Sequence, residues 1–292
     1  MNYLLFTISA LSAALSSAFI KLYRKRIDDT KVKDNLYYIS MILVALLFFG
    51  ISSGFRLVPN LPTLIFAVIY ALIVYISSTL NMNAIEYAEL VTVSIFSNSG
   101  TILWSALWGT VFFKEALTLN RILGLLAILG AIALPYLTEK KTDKGNLKGL
   151  FYCLGIFFVN GLSNLVLKIY ATSENVKDES VFFFYTNLIL IPFILLIIAK
   201  RSSLKKVFKN ISRVDKTSLL FVVLGMAFCA VISIVGIFLI STVDLVVYSV
   251  AEKALATIAV AIVSFIFFKE RFTPTKIVSF LLLILAVVLM GI

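Results

Sequence analysis

Glu252 and Lys253 stand side by side in an otherwise uncharged run from Leu245 to Phe268. A run of that length and composition reads as a membrane-spanning helix. An ionised side chain a third of the way into such a helix costs on the order of 3 kcal/mol. Such residues face a protein interior or a water-filled cavity, which makes this pair the first candidate for chemistry. Consecutive residues diverge by about 100° around a helix, so the two do not both point squarely into one narrow site. Lys253 shares a face with Ser249 and Thr257, and Glu252 shares one with Tyr248 and Ala256. Lys253 is the candidate anchor for an anionic or zwitterionic substrate. Glu252 is the candidate proton-coupling group, or else the partner of Lys253. A structural ion pair that locks this helix to a neighbour is the competing reading.

Uncharged polar residues at helical spacing form the second set. Ser94, Asn98, Thr101 and Ser105 fall on one stripe of a run without charge, Leu90–Phe113. Asn160, Ser163 and Asn164 do the same in a later run, and Ser9, Ser12 and Ser16 in the first. For each stripe, lining a substrate cavity competes with hydrogen bonding between helices, worth ~0.6 kcal/mol per bond in membranes. Tyr70 and Tyr75 lie deep in another run, where stacking on a substrate competes with ordinary packing. Ala10, Ala14, Ala18, Gly50 and Gly54 read as sites of close helix approach. Cys153 and Cys229 fall inside apolar runs and read as small buried or lipid-facing residues, not a disulfide framework.

Catalytic signatures are missing. Histidine is absent, which removes the commonest metal ligand and the usual neutral-pH proton shuttle. No glycine-rich loop ending in Gly-Lys-Ser/Thr is present, so ATP is not expected as the driver. No catalytic residue, metal or cofactor is expected, and the chain does not read as an enzyme. A proton or ion gradient, or exchange of a second solute, is left to supply the energy.

The elements that position these residues are set by composition. Of 292 residues, 61% are hydrophobic and 14% charged, with mean hydropathy +1.05. A soluble domain carries about 25% charged residues to keep its surface wet. The solvent here is therefore largely lipid. Ten uncharged stretches of span length appear: Met1–Ile20, Asn35–Phe55, Leu57–Ile85, Leu90–Phe113, Ile122–Thr138, Gly149–Leu167, Ser180–Ala199, Thr217–Val243, Leu245–Phe268 with its one charged pair, and the shorter Ile277–Ile292. Run lengths favour helices, because barrel strands alternate over about ten residues. The expected fold class is all-α, a multi-pass protein of the plasma (cytoplasmic) membrane. The net charge of +11 lies in loops between these runs. There it reads as topology signal and attraction to anionic headgroups, with no nucleic acid as partner. One set of alternate loops carries 20 basic residues and the other 5. Loop charge places both termini outside the cytoplasm.

An internal repeat is the most informative pattern. Ala88–Leu134 matches Val243–Leu289 at a constant shift of 155. Glu89-Leu90-Val91 answers Asp244-Leu245-Val246, Ser94 answers Ser249, and Phe112-Phe113-Lys114-Glu115 recurs as Phe267-Phe268-Lys269-Glu270. Ser16–Tyr23 matches Ser163–Tyr170 more weakly, with Lys21 against Lys168. The alignment makes Asn98 the mate of Lys253. Two halves, 1–138 and 149–292, flank a polar connection at 139–148. Each holds five runs, an odd number, so the copies are expected in opposite orientations, as in secondary carriers.

Two five-helix halves, each with a helix closing in Phe-Phe-Lys-Glu, a short turn and a last apolar helix, resemble the EamA-like drug/metabolite transporters. The resemblance covers nearly the whole chain. It implies ten transmembrane helices in two inverted repeats, and a secondary active transporter of small organic metabolites that works in efflux. It also implies cytoplasmic termini, opposite to the reading from loop charge. The expected substrates are amino acids or related compounds, handled by alternating access. Lys253, Asn98, Ser94, Ser249, Tyr248, Asn160, Ser163, Asn164, Ser12 and Tyr75 are the candidate substrate residues, on the first, third, fourth, sixth and ninth helices. Partners are the small-molecule substrate, the lipid bilayer and protons as coupling ion, with the chain a monomer or a homodimer. An exchanger of anionic sugar phosphates or nucleotide sugars, and a membrane scaffold or sensor that does not transport, are the alternatives.

Overall fold

The computed structural model describes residues 2–27, 30–87, 90–138, 147–173, 178–201, 214–268 and 274–290. They form helices α1 (Asn2–Arg26), α2 (Thr30–Ser52), α3 (Leu61–Tyr87), α4 (Leu90–Phe113), α5 (Leu119–Thr138), α6 (Leu147–Thr172), α7 (Glu179–Arg201), α8 (Lys216–Thr242), α9 (Leu245–Phe268) and α10 (Pro274–Leu289), with no strand among the described residues. Each helix falls on one of the uncharged stretches, and several continue a few residues into their charged flanks. The physical cause is that lipid offers no hydrogen bonds, so a spanning backbone must satisfy itself within the helix. By length and composition, seven of these helices are apolar and long enough to cross a membrane: α1, α2, α3, α6, α7, α8 and α9. The chain is a multi-pass membrane protein on that ground. Two shorter apolar stretches, Leu119–Leu134 and Ile277–Leu289, lie in α5 and α10.

The distribution of side chains is inverted relative to a water-soluble bundle. Leu11, Leu47, Val111, Phe151, Phe267 and Val288 are exposed, whereas Ser9, Ser12, Ser16, Ser105 and Ser249 are buried. Apolar surface on that scale faces acyl chains, while hydroxyls turn inward to find partners.

Polar residues at the boundaries end and start the helices. α2 stops at Gly54 and Phe55, both left-handed (φ +58° and +56°), and the Phe55 amide closes back on the Gly50 carbonyl at 2.8 Å. Asn60 caps α3 by accepting from the Thr63 amide (2.8 Å), and Asp178 caps α7 by accepting from Ser180 (2.8 Å). Asp215 caps α8, accepting from the Ser218 amide at 2.9 Å, and faces Arg26 at 3.6 Å. Hydrogen bonding from Ser218, helped by Arg26, holds the Asp215 carboxyl below its ordinary value.

Neighbour relations cross the chain more than they track it. α1 packs on α8 and α9, and α6 packs on α3 and α4. α2 lies against α7 and α8, α3 against α7, α4 against α9, and α5 against α10. The α4–α6 crossing is close because Gly100 and Gly161 lack side chains. A Cβ at Gly100 would strike the backbone of Phe157, and one at Gly161 would strike Trp104. On α1, Ala10 and Ala14 are also buried.

Candidate functional site

Lys253 and Glu252 meet each other. Their Nζ and Oε2 atoms are 3.0 Å apart, with side chains 31% and 14% exposed. Side chains long enough to bend back along the helix overcome the 100° divergence of their Cα positions. The pair is neutral as a unit, which lowers its cost inside a span without abolishing it. One turn earlier, Tyr248 is buried, and its Oη comes within 2.9 Å of where a Gly236 side chain would begin. Ser249 is fully buried and donates to the Val246 carbonyl on its own helix (3.0 Å).

The asparagines on α6 hold helices together. Ser77 of α3 donates to Asn160 Oδ1 (2.6 Å), while Asn160 Nδ2 donates to Ser97 Oγ of α4 (2.7 Å). One turn on, Asn164 Nδ2 donates to the buried Ser105 hydroxyl (3.0 Å). A buried amide has donor and acceptor to satisfy, and α3 and α4 supply both to Asn160. Ser163 and Asn98 are half-buried, Ser12 is buried on α1, and the Ser94 side chain lies outside the described residues. Tyr75 packs on Phe193, with ring centroids 4.9 Å apart.

A half-open cavity of about 180 Å³ lies between α2, α3, α7 and α8. None of the ten candidate residues named from the sequence is in its wall. Met41, Ala45 and Phe49 line it from α2, and Tyr70 and Val74 from α3. Phe183, Thr186, Asn187 and Leu190 line it from α7, and Met226, Cys229, Ala230 and Ser233 from α8. Thr186 is 2% exposed, and its hydroxyl has no hydrogen-bond partner. An unpaired buried hydroxyl costs about 1–3 kcal/mol, and this one is closed off from the open space as well. Ser233 donates to the Cys229 carbonyl (3.1 Å), and the Cys229 thiol is 3.0 Å from Ser16 Oγ of α1. Tyr70 was legible in the sequence as a stacking candidate. Thr186, Asn187 and Ser233 are isolated polar residues in apolar runs, and no spacing rule distinguishes them from ordinary helix contacts.

One side of this cavity is sealed. Phe49, Phe183 and Ala230 belong both to its wall and to an aromatic cluster with Phe6, Tyr170, Phe182 and Tyr248. Tyr170 stacks on Phe182 (4.2 Å), and Phe183 on Phe49 (5.1 Å). Polar links sit beyond the cluster, at the α4–α5 and α8–α9 connections. Lys168, 7% exposed, donates to the Val243 carbonyl (2.6 Å) and lies over the Phe113 ring (5.7 Å). Glu115 accepts from the Leu245 and Val246 amides at 2.6 and 3.2 Å, which places a carboxylate on the N-terminus of α9. Gly109 makes that possible, because a Cβ there would lie 2.5 Å from Glu115 Oε2. Arg121 pairs with Asp244 and donates to the Ala116 carbonyl. The repeated Phe-Phe-Lys-Glu thus ends, in its first copy, as a clamp from one half of the chain onto the other. Lys269 and Glu270 of the second copy lie outside the described residues.

The described residues contain no group of three or more His, Cys, Asp or Glu able to hold a metal ion. No protein-family model and no curated protein matches the chain. Among solved structures, 28 chains match. One of them, a crystal structure of a protein, superposes with a TM-score of 0.73 at 12% identity, over 98% of this chain and 94% of that one. At that identity the likeness is one of fold: essentially the whole chain shares a helical architecture that has been seen in a crystal.

Proposed function

We propose that the chain is a secondary carrier of small organic metabolites, built on two inverted five-helix repeats like the EamA-like drug/metabolite transporters and working by alternating access. All ten helices span the plasma membrane in this reading, and its substrates, small organic metabolites, are moved outward. One observation carries it: the principal helix contacts map onto themselves when each helix is exchanged for the one five places away. α1 with α8 becomes α6 with α3, and α1 with α9 becomes α6 with α4. α3 with α7 becomes α8 with α2. α2–α7, α4–α9 and α5–α10 map onto themselves. The cavity wall obeys the same exchange, since α2 and α3 answer α7 and α8.

The sealed side supports the same reading. At the shifts of 155 and 147 residues found in the sequence, Glu115 corresponds to Glu270, Asp244 to Glu89, Arg121 to Lys276 and Lys168 to Lys21. Every charge sign is kept. An inverted copy carries the second set to the opposite face, where it would close the cavity in the other state. The face held by Lys168, Glu115 and the Arg121–Asp244 pair is the shut one in this reading, and the opposite, basic face is cytoplasmic by loop charge. Exchange of anionic sugars would need further cations at depth, whereas Lys253 is already paired with Glu252.

The test is transport in liposomes with a labelled-metabolite panel, with and without a proton gradient. A short thiol cross-linker applied to Arg121→Cys/Asp244→Cys should stop transport, and reductant should restore it. Glu89→Cys/Lys276→Cys should behave alike, with each single-cysteine variant unresponsive. Undiminished transport with both pairs linked would sink alternating access, and no transport of any compound in the panel would sink the carrier.

A further inference from the structure

We infer that the cavity between α2, α3, α7 and α8 binds an uncharged solute with a flat apolar body and one hydrogen-bonding end group, such as a primary amide or an alcohol. The carrier reading bears only on the passage of a bound solute across the membrane; the site and its ligand class rest on the wall itself. The stretches that bound the cavity, Asn35–Phe55, Leu57–Ile85, Ser180–Ala199 and Thr217–Val243, contain no Asp, Glu, Lys or Arg. A charged ligand would leave water for a space with no countercharge, a loss that aromatic and hydroxyl groups do not offset. The nearest charges along α9, Glu252 and Lys253, are occupied with each other. A cation held on aromatic faces is disfavoured because the face of Phe49 is already covered by Phe183, at 5.1 Å and 22°.

The polar groups of the wall define the other end. Asn187, Ser233, Cys229 and Tyr70, none of them fully buried, bring an amide, two hydroxyls and a thiol to the same space. A lipid acyl chain would leave these groups facing hydrocarbon. A ligand with one donor and one acceptor meets Asn187 and Ser233, while Met41, Val74, Leu190 and Met226 take the apolar body.

Three compounds that share a body and differ in charge test this: 4-phenylbutanamide, 4-phenylbutanoate and 4-phenylbutylammonium. Binding is read on the full chain in phospholipid nanodiscs by protection of Cys229 from N-ethylmaleimide, in a Cys153→Ser background. Saturation-transfer NMR runs in parallel, so that an unreactive thiol does not blind the assay. The amide is expected to protect at a concentration at least tenfold below either ion. Asn187→Leu should weaken it roughly tenfold, and Asn187→Gln should keep the affinity. Equal or better binding of an ion overturns the ligand class, and no binding of any of the three by either readout overturns the site. Amide binding in a protein that transports nothing leaves this inference standing and removes the carrier reading instead.

Discussion

At the scale of single residues, the in-membrane charges and the polar stripes separate by what they touch. Lys253 and Glu252 neutralise each other, so each is expected to tolerate loss of the other worse than loss of both. Lys253→Ala or Glu252→Ala should lower the melting temperature by several degrees in detergent. Glu252→Gln/Lys253→Met should recover most of it, with the effect tempered by the 31% exposure of the lysine side chain. If the double variant is stable and still transports at full rate, neither residue belongs to a substrate or proton site. Asn160 is tied on both sides, to Ser77 and Ser97. Its replacement by Leu should cost about 1 kcal/mol through two interhelical bonds, read as a small shift in thermal unfolding. Loss of transport at unchanged stability would instead return Asn160 to the substrate path.

Helices make sharper demands. The α4–α6 crossing leaves no room at Gly100, where a new side chain meets Phe157 backbone that has nowhere to move. Gly100→Val should give a chain that aggregates on size-exclusion chromatography, whereas Gly130→Val on α5, with its nearest neighbour 3.9 Å away, should elute as wild type. Capping is measurable by pH. The Asp215 carboxyl titrates below its ordinary value in the folded protein, so its contribution is present above the unfolded-state pKa, about 3.9, and is lost as pH falls through the lowered value. Asp215→Asn should therefore flatten the acid limb of a melting-temperature profile below pH ~4 and leave its neutral limb parallel to wild type. The reach of Glu115 to α9 was not legible in the sequence, because it joins residues 130 positions apart.

For the whole molecule, sidedness has a direct measurement. Lys25 lies exposed at the end of α1 and Lys114 just past the end of α4, which the proposed ten-span arrangement puts on opposite faces of the membrane. In intact cells, a membrane-impermeant maleimide should label Lys114→Cys and spare Lys25→Cys if loop charge governs orientation; the reverse pattern would place the termini in the cytoplasm. The sequence by itself determined which runs become apolar helices, seven of them long and apolar enough to cross a membrane, because uncharged runs of about twenty residues have few other stable environments. It also exposed the repeat, since Phe-Phe-Lys-Glu survives in both halves. Which polar residues hold helices together and which face empty space was decided only by tertiary structure. A serine or asparagine in an apolar run reads the same either way until its neighbours are placed. That is why Asn160 and Asn164, prominent in the sequence, turn out to join α6 to its neighbours. Thr186, an ordinary threonine in an apolar run, is the buried hydroxyl left without a partner in the cavity wall.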